Sequence, residues 1–314
     1  MNNRPKILVA PTDVQELTML AQGGVDGFIV GSRAFTICSR GYFELNELKE
    51  AVTVAHQLNK KIYLTVDAIF PNDLLEKLTE YLEEIKELPF DGIRYSDLGV
   101  YMLLKEKLPH IPQHFVDQMM LTNYETVNYW ANRGVSHVRL APELTLEEIL
   151  EIKTKATPTV EILVHGASMM FTSRRKLVEN YLDFQQRIGK GVQLGSDGLH
   201  LYDPERDLYY PIIENDHGTH IFSGNDVCMV DDLAKLMTVG IDVFYIEGFT
   251  YDTEGLKGLV KLYNMAIDLA LTDPEKYEKA GIVLYQEAEK LKEANRRMDR
   301  GFYYKPTIYK NQQK

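Results

Sequence analysis

The stretch Val160-Glu161-Ile162-Leu163-Val164-His165-Gly166 starts as a short apolar run with a β-branched lead, bounded by Pro158 before it and Gly166 at its end. Such a run reads as a buried strand that stops in a turn. It continues as Ala167-Ser168-Met169-Met170-Phe171-Thr172-Ser173-Arg174-Arg175-Lys176, so His165 stands where strand gives way to loop, with three cations close behind. The pattern marks where a site should lie without naming its substrate.

Working outward, similar apolar runs alternate with longer amphipathic stretches. Strand readings fall at Lys6 to Pro11, Gly27 to Ser32, Ile62 to Asp67, Gly92 to Asp97, His114 to Gln118, Val135 to Leu140, Val160 to Val164 and Val243 to Gly248. Between them lie helical patterns, such as Asn46 to Leu58 with Leu48, Val52 and Ala55 on one face, and Leu146 to Lys155 with Thr145 as N-cap. Eight strand-then-helix units are the count of an α/β (β/α)8 TIM-like barrel. An open doubly wound sheet would carry a glycine-rich phosphate loop after an early strand, and none is present.

The interval between the seventh and eighth strands exceeds any ordinary connection. Within it, Gly198 to Ile212 reads as a β-hairpin turning at Asp203-Pro204-Glu205-Arg206-Asp207, and Asn215-Asp216-His217-Gly218 marks a second turn. The expected organisation is a barrel over 1–272 with a small β-hairpin insertion at 190–225 between strands 7 and 8. Residues 273–314 form a C-terminal helix, read from Pro274 to Arg300, and a tail packed on the barrel.

The 314 residues carry 45% apolar and 26% charged side chains, with no uninterrupted apolar run near the ~18 residues of a membrane span. Met1 to Pro5 lead straight into a strand, which reads as a cytoplasmic protein. Two cysteines, Cys38 and Cys228, exclude a disulfide framework and make a poor metal site. A net charge of −11 argues against a free-standing nucleic-acid binder, because phosphate neutralisation supplies most of that affinity. If RNA is handled, a local basic patch or a partner subunit must hold it.

Barrel sites are built from the C-terminal ends of the strands. There the sequence places Asp67, Asp97, Asp117 with Gln118, Glu143, His165 and Glu247. Carboxylates around one histidine suit proton transfer or binding of a polar substrate, and His165, Glu143, Glu247 and Asp67 are the catalytic candidates. The competing reading is helix capping, or ion pairing with Arg33, Arg94 or Arg139; for His165 it is a hydrogen-bonded core histidine. Arg174, Arg175 and Lys176, with Ser173 and Gln118, are the substrate-binding candidates, since arginine suits bidentate contact with an anion. The three cations fit a solvated helix face equally well. His217 reads as a turn residue and Cys228 as a half-buried thiol. No serine elbow, zinc helix or phosphate-loop signature occurs.

Residues Glu161 to Lys176 resemble the signature of peptidase family U32, the collagenase-like peptidases, which runs approximately Glu-x-Phe-x-His-Gly-Ala-Leu-Cys followed by Ser-Gly and a second cysteine. Tyr209-Tyr210-Pro211, Asp216-His217-Gly218-Thr219, Ser223 to Asp232, Gly240-Ile241-Asp242, Ile246-Glu247-Gly248, Arg300-Gly301-Phe302-Tyr303 and Gln118-Met119 through Thr122-Asn123 also look like family blocks. Met169 and Lys176 stand where the family has its signature cysteines. Arg174 replaces a glycine and Phe249 an arginine, and a further family cysteine is missing near Gln193. Relatives with roles in RNA or quinone hydroxylation hold an iron–sulfur cluster on cysteines, which methionine and lysine cannot replace. The resemblance therefore implies no cluster in this chain alone. It points to the cysteine-poor branch, similar to the short subunit of prephenate-dependent tRNA wobble-uridine 5-hydroxylation proteins. That branch implies a cysteine-bearing iron–sulfur paralogue as partner, tRNA reached through the complex, and prephenate, a dicarboxylate, as co-substrate for the three cations. The alternatives are a collagenase-like peptidase and a non-catalytic scaffold subunit.

Overall fold

The computed structural model describes residues 4–117, 119–189, 198–293 and 295–305. Its first half is a regular alternation: β1 (Lys6–Val9), α1 (Val14–Gln22), β2 (Gly27–Val30), α2 (Leu45–Gln57), β3 (Lys61–Val66), α3 (Asn72–Ile85), β4 (Gly92–Tyr95), α4 (Leu98–Lys107), β5 (Gln113–Phe115), α5 (Tyr124–Ala131), β6 (Val135–Arg139), α6 (Leu146–Lys155) and β7 (Thr159–Gly166). Then come β8 (Met169–Ser173), α7 (Leu177–Arg187), β9 (Leu199–Asp203), β10 (Leu208–Asn215), β11 (Gly218–Phe222), β12 (Asn225–Cys228), α8 (Ala234–Thr238), β13 (Val243–Ile246), α9 (Thr253–Thr272), α10 (Pro274–Leu291) and β14 (Arg297–Asp299).

Strands β1 to β7 pair in parallel and in sequence order, and β13 closes the ring by pairing in parallel with both β1 and β7. The eight strands anticipated from the sequence thus form the (β/α)8 barrel. Alternation along each strand divides its residues between two environments. Ile7 and Val9 pack outward against the helices, whereas Leu8 and Ala10 join Ile29, Tyr63, Val243 and Tyr245 inside the barrel. Helix starts are fixed locally. Asp97 accepts the Gly99 N–H at 2.6 Å, Asn123 accepts that of Thr126 at 2.9 Å, and Thr145 with Glu148 forms a capping box.

The insertion is larger than the expected hairpin. The Leu199–Asp203 and Leu208–Asn215 hairpin forms, and the Asp216-His217 turn leads into β11. But β11 also pairs with β8, so the second sheet, ordered β8-β11-β10-β9, begins at Met169. Helix α7 lies on this sheet with its first turn held by Glu214. That carboxylate accepts the Val178 and Glu179 N–H groups at 2.9 Å each, together with the Thr219 hydroxyl.

The C-terminal helix stops at Leu291 rather than running to Arg300. Beyond it, β14 pairs with β12 because long-range ion pairs capture the chain: Arg296 bonds to Asp226 at 2.9 Å, and Arg300 meets both oxygens of Asp231 at 2.6 Å. Among the described residues, no helix is long and apolar enough to cross a membrane.

Candidate functional site

The floor of the site is a buried ionic network inside the barrel. Glu161 on β7 receives two N–H···O bonds of 2.8 Å from Arg94 on β4, and His137 Nε2 on β6 lies 2.8 Å from the same carboxylate. His114 on β5 stacks on His137 with ring centroids 4.3 Å apart. Burial alone would raise the Glu161 pKa, but the Arg94 charge and its paired bonds overcome this and hold it well below the usual carboxylate range. Burial keeps both histidines neutral, pushing the pKa of His137 down and that of His114 well down.

Towards the C-terminal ends of the strands, a cavity of about 70 Å³ opens over this floor. Asp67 reaches it from the end of β3, Arg139 from the last position of β6, and Glu247 from just beyond β13. The loop after β2 adds Cys38 and Arg40; Met169, Phe222 and Phe249 close the outer side. Tyr245 donates its hydroxyl hydrogen to Glu247 at 2.6 Å, and the Phe249 N–H donates to the other oxygen at 3.0 Å. The Arg139 guanidinium lies over the Tyr245 ring, 4.9 Å from its centroid. Asp67 accepts the Ile37 N–H at 3.1 Å. Arg40 is held by Glu16 at 2.6 Å and by the Tyr251 carbonyl at 2.8 Å. Burial raises the pKa of both Asp67 and Glu247, partly offset by donors and by Arg139. Burial, with the charges of Asp67 and Glu247, also pushes the Cys38 thiol far up, so it stays protonated and is no nucleophile. Of the three arginines that line the cavity, Arg40 and Arg94 are engaged by Glu16 and Glu161; the cavity thus sets the Arg139 guanidinium beside two carboxyl groups of raised proton affinity, an arrangement for binding a polar anion and for holding protons.

Of the catalytic candidates, the structure brings Asp67 and Glu247 together here. Glu143 is exposed on the loop after β6, away from the cavity lining. His165 is fully buried behind the barrel wall. The Tyr263 hydroxyl donates to the Val164 carbonyl at 2.8 Å, so its oxygen accepts from His165 Nδ1 at 3.1 Å; Nε2 then accepts the Tyr251 hydroxyl at 2.7 Å. Both ring nitrogens are engaged, and burial pushes the pKa down to about 3. This is the hydrogen-bonded core histidine of the alternative reading.

Of the binding candidates, Ser173 sits on β8, where its hydroxyl accepts the Arg175 N–H at 3.2 Å. Arg174 and Arg175 are exposed, and Lys176 pairs with Glu179 at 3.6 Å. Gln118 and Gln193 lie outside the described residues. Asp97 caps α4, and Asp117 accepts the N–H groups of Met119 and Met120 at 2.7 Å. Arg94 and Arg139, expected only as ion-pair partners of the carboxylates, also line the cavity; Arg139 is signalled in the sequence by its place at the end of the sixth strand.

The positions that depart from the U32 pattern are divided by the structure. Met169 and Phe249 line the cavity, with Phe249 stacked on Phe222 at 5.0 Å, whereas Lys176 is exposed just before α7 and is not part of the lining. Cys228 is fully buried rather than half-buried, and burial pushes its thiol up to about 12. Met169 puts an apolar thioether into the cavity lining at a position where the U32 pattern has a cysteine.

Residues 12–313 match the model of Peptidase family U32. The chain is 37% identical to tRNA hydroxylation protein P2 of Bacillus subtilis, over 98% of this chain and 99% of that protein. It is 24% identical to tRNA hydroxylation protein P1 of the same organism, over 88% of this chain and 66% of the relative. A solved U32 peptidase structure aligns at a TM-score of 0.47 and 15% identity, covering 78% of this chain and 93% of the other. The chain belongs to peptidase family U32.

Proposed function

We propose that this chain is the short subunit of a prephenate-dependent system that 5-hydroxylates the tRNA wobble uridine, paired with a longer, cysteine-bearing U32 paralogue that carries the iron–sulfur cluster. The observation that carries this reading is the end-to-end similarity to tRNA hydroxylation protein P2. The presence of P1 in the same organism, matched over only part of its length, supports a pair of unequal size. So does α7, which with its C-cap Ile188 exposes Leu177, Tyr181, Phe184 and Ile188 at helical spacing, an apolar stripe suited to a partner surface. The partner would hold tRNA, consistent with the net charge of −11 on this chain. In this division of labour, Asp67 and Glu247 handle protons in the cavity, and this chain contributes a ligand site rather than a metal.

The peptidase reading finds less support. Ser173 bonds to its own segment while both His165 nitrogens are committed to tyrosines, so these two residues form no nucleophile–base pair. Purifying the chain alone and co-expressed with its cysteine-bearing paralogue, then recording iron content and the visible spectrum, tests the proposal. The pair should co-purify brown and the single chain colourless. Iron on the single chain, or failure to associate together with cleavage of gelatin, would overturn it.

A further inference from the structure

We infer that Arg139 is the anchor for the carboxylate of a small organic acid bound in the barrel cavity. The inference deepens the proposed function and rests on it only for the acid's biological identity. The other guanidiniums of the cavity are already matched. Arg94 is neutralised by Glu161, and Arg40 is held by Glu16 and a carbonyl. Arg139 differs: among the described residues its guanidinium has no hydrogen bond and no ion pair within 4 Å, resting on the Tyr245 ring and acting on Asp67 and Glu247 only at longer range. A half-buried guanidinium presents five N–H donors in a planar fork, and a carboxylate matches that fork with two parallel bonds.

The surroundings orient the fork without filling it. Tyr245 supports the guanidinium plane, and its hydroxyl is pinned by Glu247. Both Glu247 oxygens are already accepting, from Tyr245 and from the Phe249 N–H, so this carboxylate positions Tyr245 and leaves the Arg139 donors for a ligand. The charge balance favours a carboxylate over a phosphate. Asp67 and Glu247 flank Arg139, so the end of a ligand that enters should bring a single negative charge: a carboxylate does, with any second carboxylate of the acid directed outward, whereas phosphate near neutral pH concentrates up to two charges on one compact group. The enclosed space of about 70 Å³ admits on the order of five waters, enough for a carboxylate and its first carbons, with the rest of the acid directed outward.

The test is a binding titration on the full chain at pH 7, by calorimetry and thermal shift, using succinate, prephenate, uncharged dimethyl succinate and inorganic phosphate. At least one of the two acids should bind saturably, the ester and phosphate should not, and Arg139→Lys should weaken the acid by roughly 10- to 100-fold. Asp67→Asn should tighten it, a change of opposite sign that misfolding does not mimic. Equal affinity in Arg139→Lys, binding of phosphate alone, or no binding of either acid would overturn the assignment. Acid binding lost while tRNA hydroxylation persists sinks this site and leaves the proposed function standing; acid binding kept by a chain whose deletion leaves tRNA unchanged does the reverse.

Discussion

Arg94 and Glu161 meet across the barrel interior through two N–H···O bonds of 2.8 Å, with side-chain exposures of 2% and 0%. Such a pair gains little net stability over a well-packed apolar pair, but breaking it strands a buried charge. Glu161→Ala should therefore destabilise the fold by about 3–5 kcal/mol. The double change Arg94→Met with Glu161→Leu should cost clearly less than the single one. Urea unfolding midpoints of the three proteins check this, and a double variant as unstable as Glu161→Ala would show that the network contributes more than charge matching.

The buried imidazole of His165 makes a pH prediction. Its pKa falls from the ordinary 6.5 to about 3 on folding, so above pH 6.5 both states are neutral and its contribution is complete. Below that, the unfolded chain takes up a proton that the folded chain refuses, and stability declines by about 1.4 kcal/mol per pH unit until about pH 3. Asp67 and Glu247, whose pKa values burial raises, act with the opposite sign. The effect is isolated by comparing wild type with His165→Gln, which can donate to Tyr263 and accept from Tyr251 without titrating. Between pH 7.5 and 5 the unfolding free energy of wild type should fall about 2 kcal/mol further than that of the variant. A pH-independent difference would mean that His165 protonates freely in the folded protein.

The exposed cations Arg174, Arg175 and Lys176 separate two possible anion sites. Replacing all three with alanine should shift stability by no more than about 0.5 kcal/mol per position, as expected for surface side chains. Affinity for the small acid should stay within about twofold. A tenfold loss in the same calorimetric titration would move the anchor from Arg139 to this segment.

The barrel is legible because β1, β2, β7 and β13 are largely apolar runs and helices such as α2 and α3 have clear apolar faces, a period that carries over the more polar β5 and β6. Strand β8 was not legible, since its residues are only half-buried or exposed and its partner β11 is remote in sequence. Strand β12 was hidden by the polar Asn225-Asp226 pair, whose aspartate is buried against Arg296. Helix-forming residues after Leu291 suggested continuation; the ion pairs of Arg296 and Arg300 that end it are invisible to local pattern. For the site, the strand-end rule places Asp67 and Glu247 at the cavity, as the structure does, but does not give the direction in which His165 faces. Glu161 and Leu163 point into the barrel, and simple alternation would send His165 with them. The pairing of β7 with β13 slips there, Tyr245 opposing Leu163 and Ile246 opposing His165, and this bulge turns the imidazole out towards the tyrosines of the outer layer. Gly166, at a φ of 100°, follows the bulge. A Cβ there would overlap the Glu247 carbonyl oxygen, so the close approach of these two strand ends requires glycine.

The most direct measurement is the nucleoside composition of tRNA, by liquid chromatography and mass spectrometry, from cells lacking this chain and from the same cells carrying it on a plasmid. A hydroxylation subunit requires that wobble 5-hydroxyuridine and its derivatives fall in the deletion strain and return with the wild-type chain. They should also return with His165→Gln, in which the histidine's structural bonds are kept. Wobble nucleosides at the parental level in the deletion strain would contradict the role in tRNA hydroxylation.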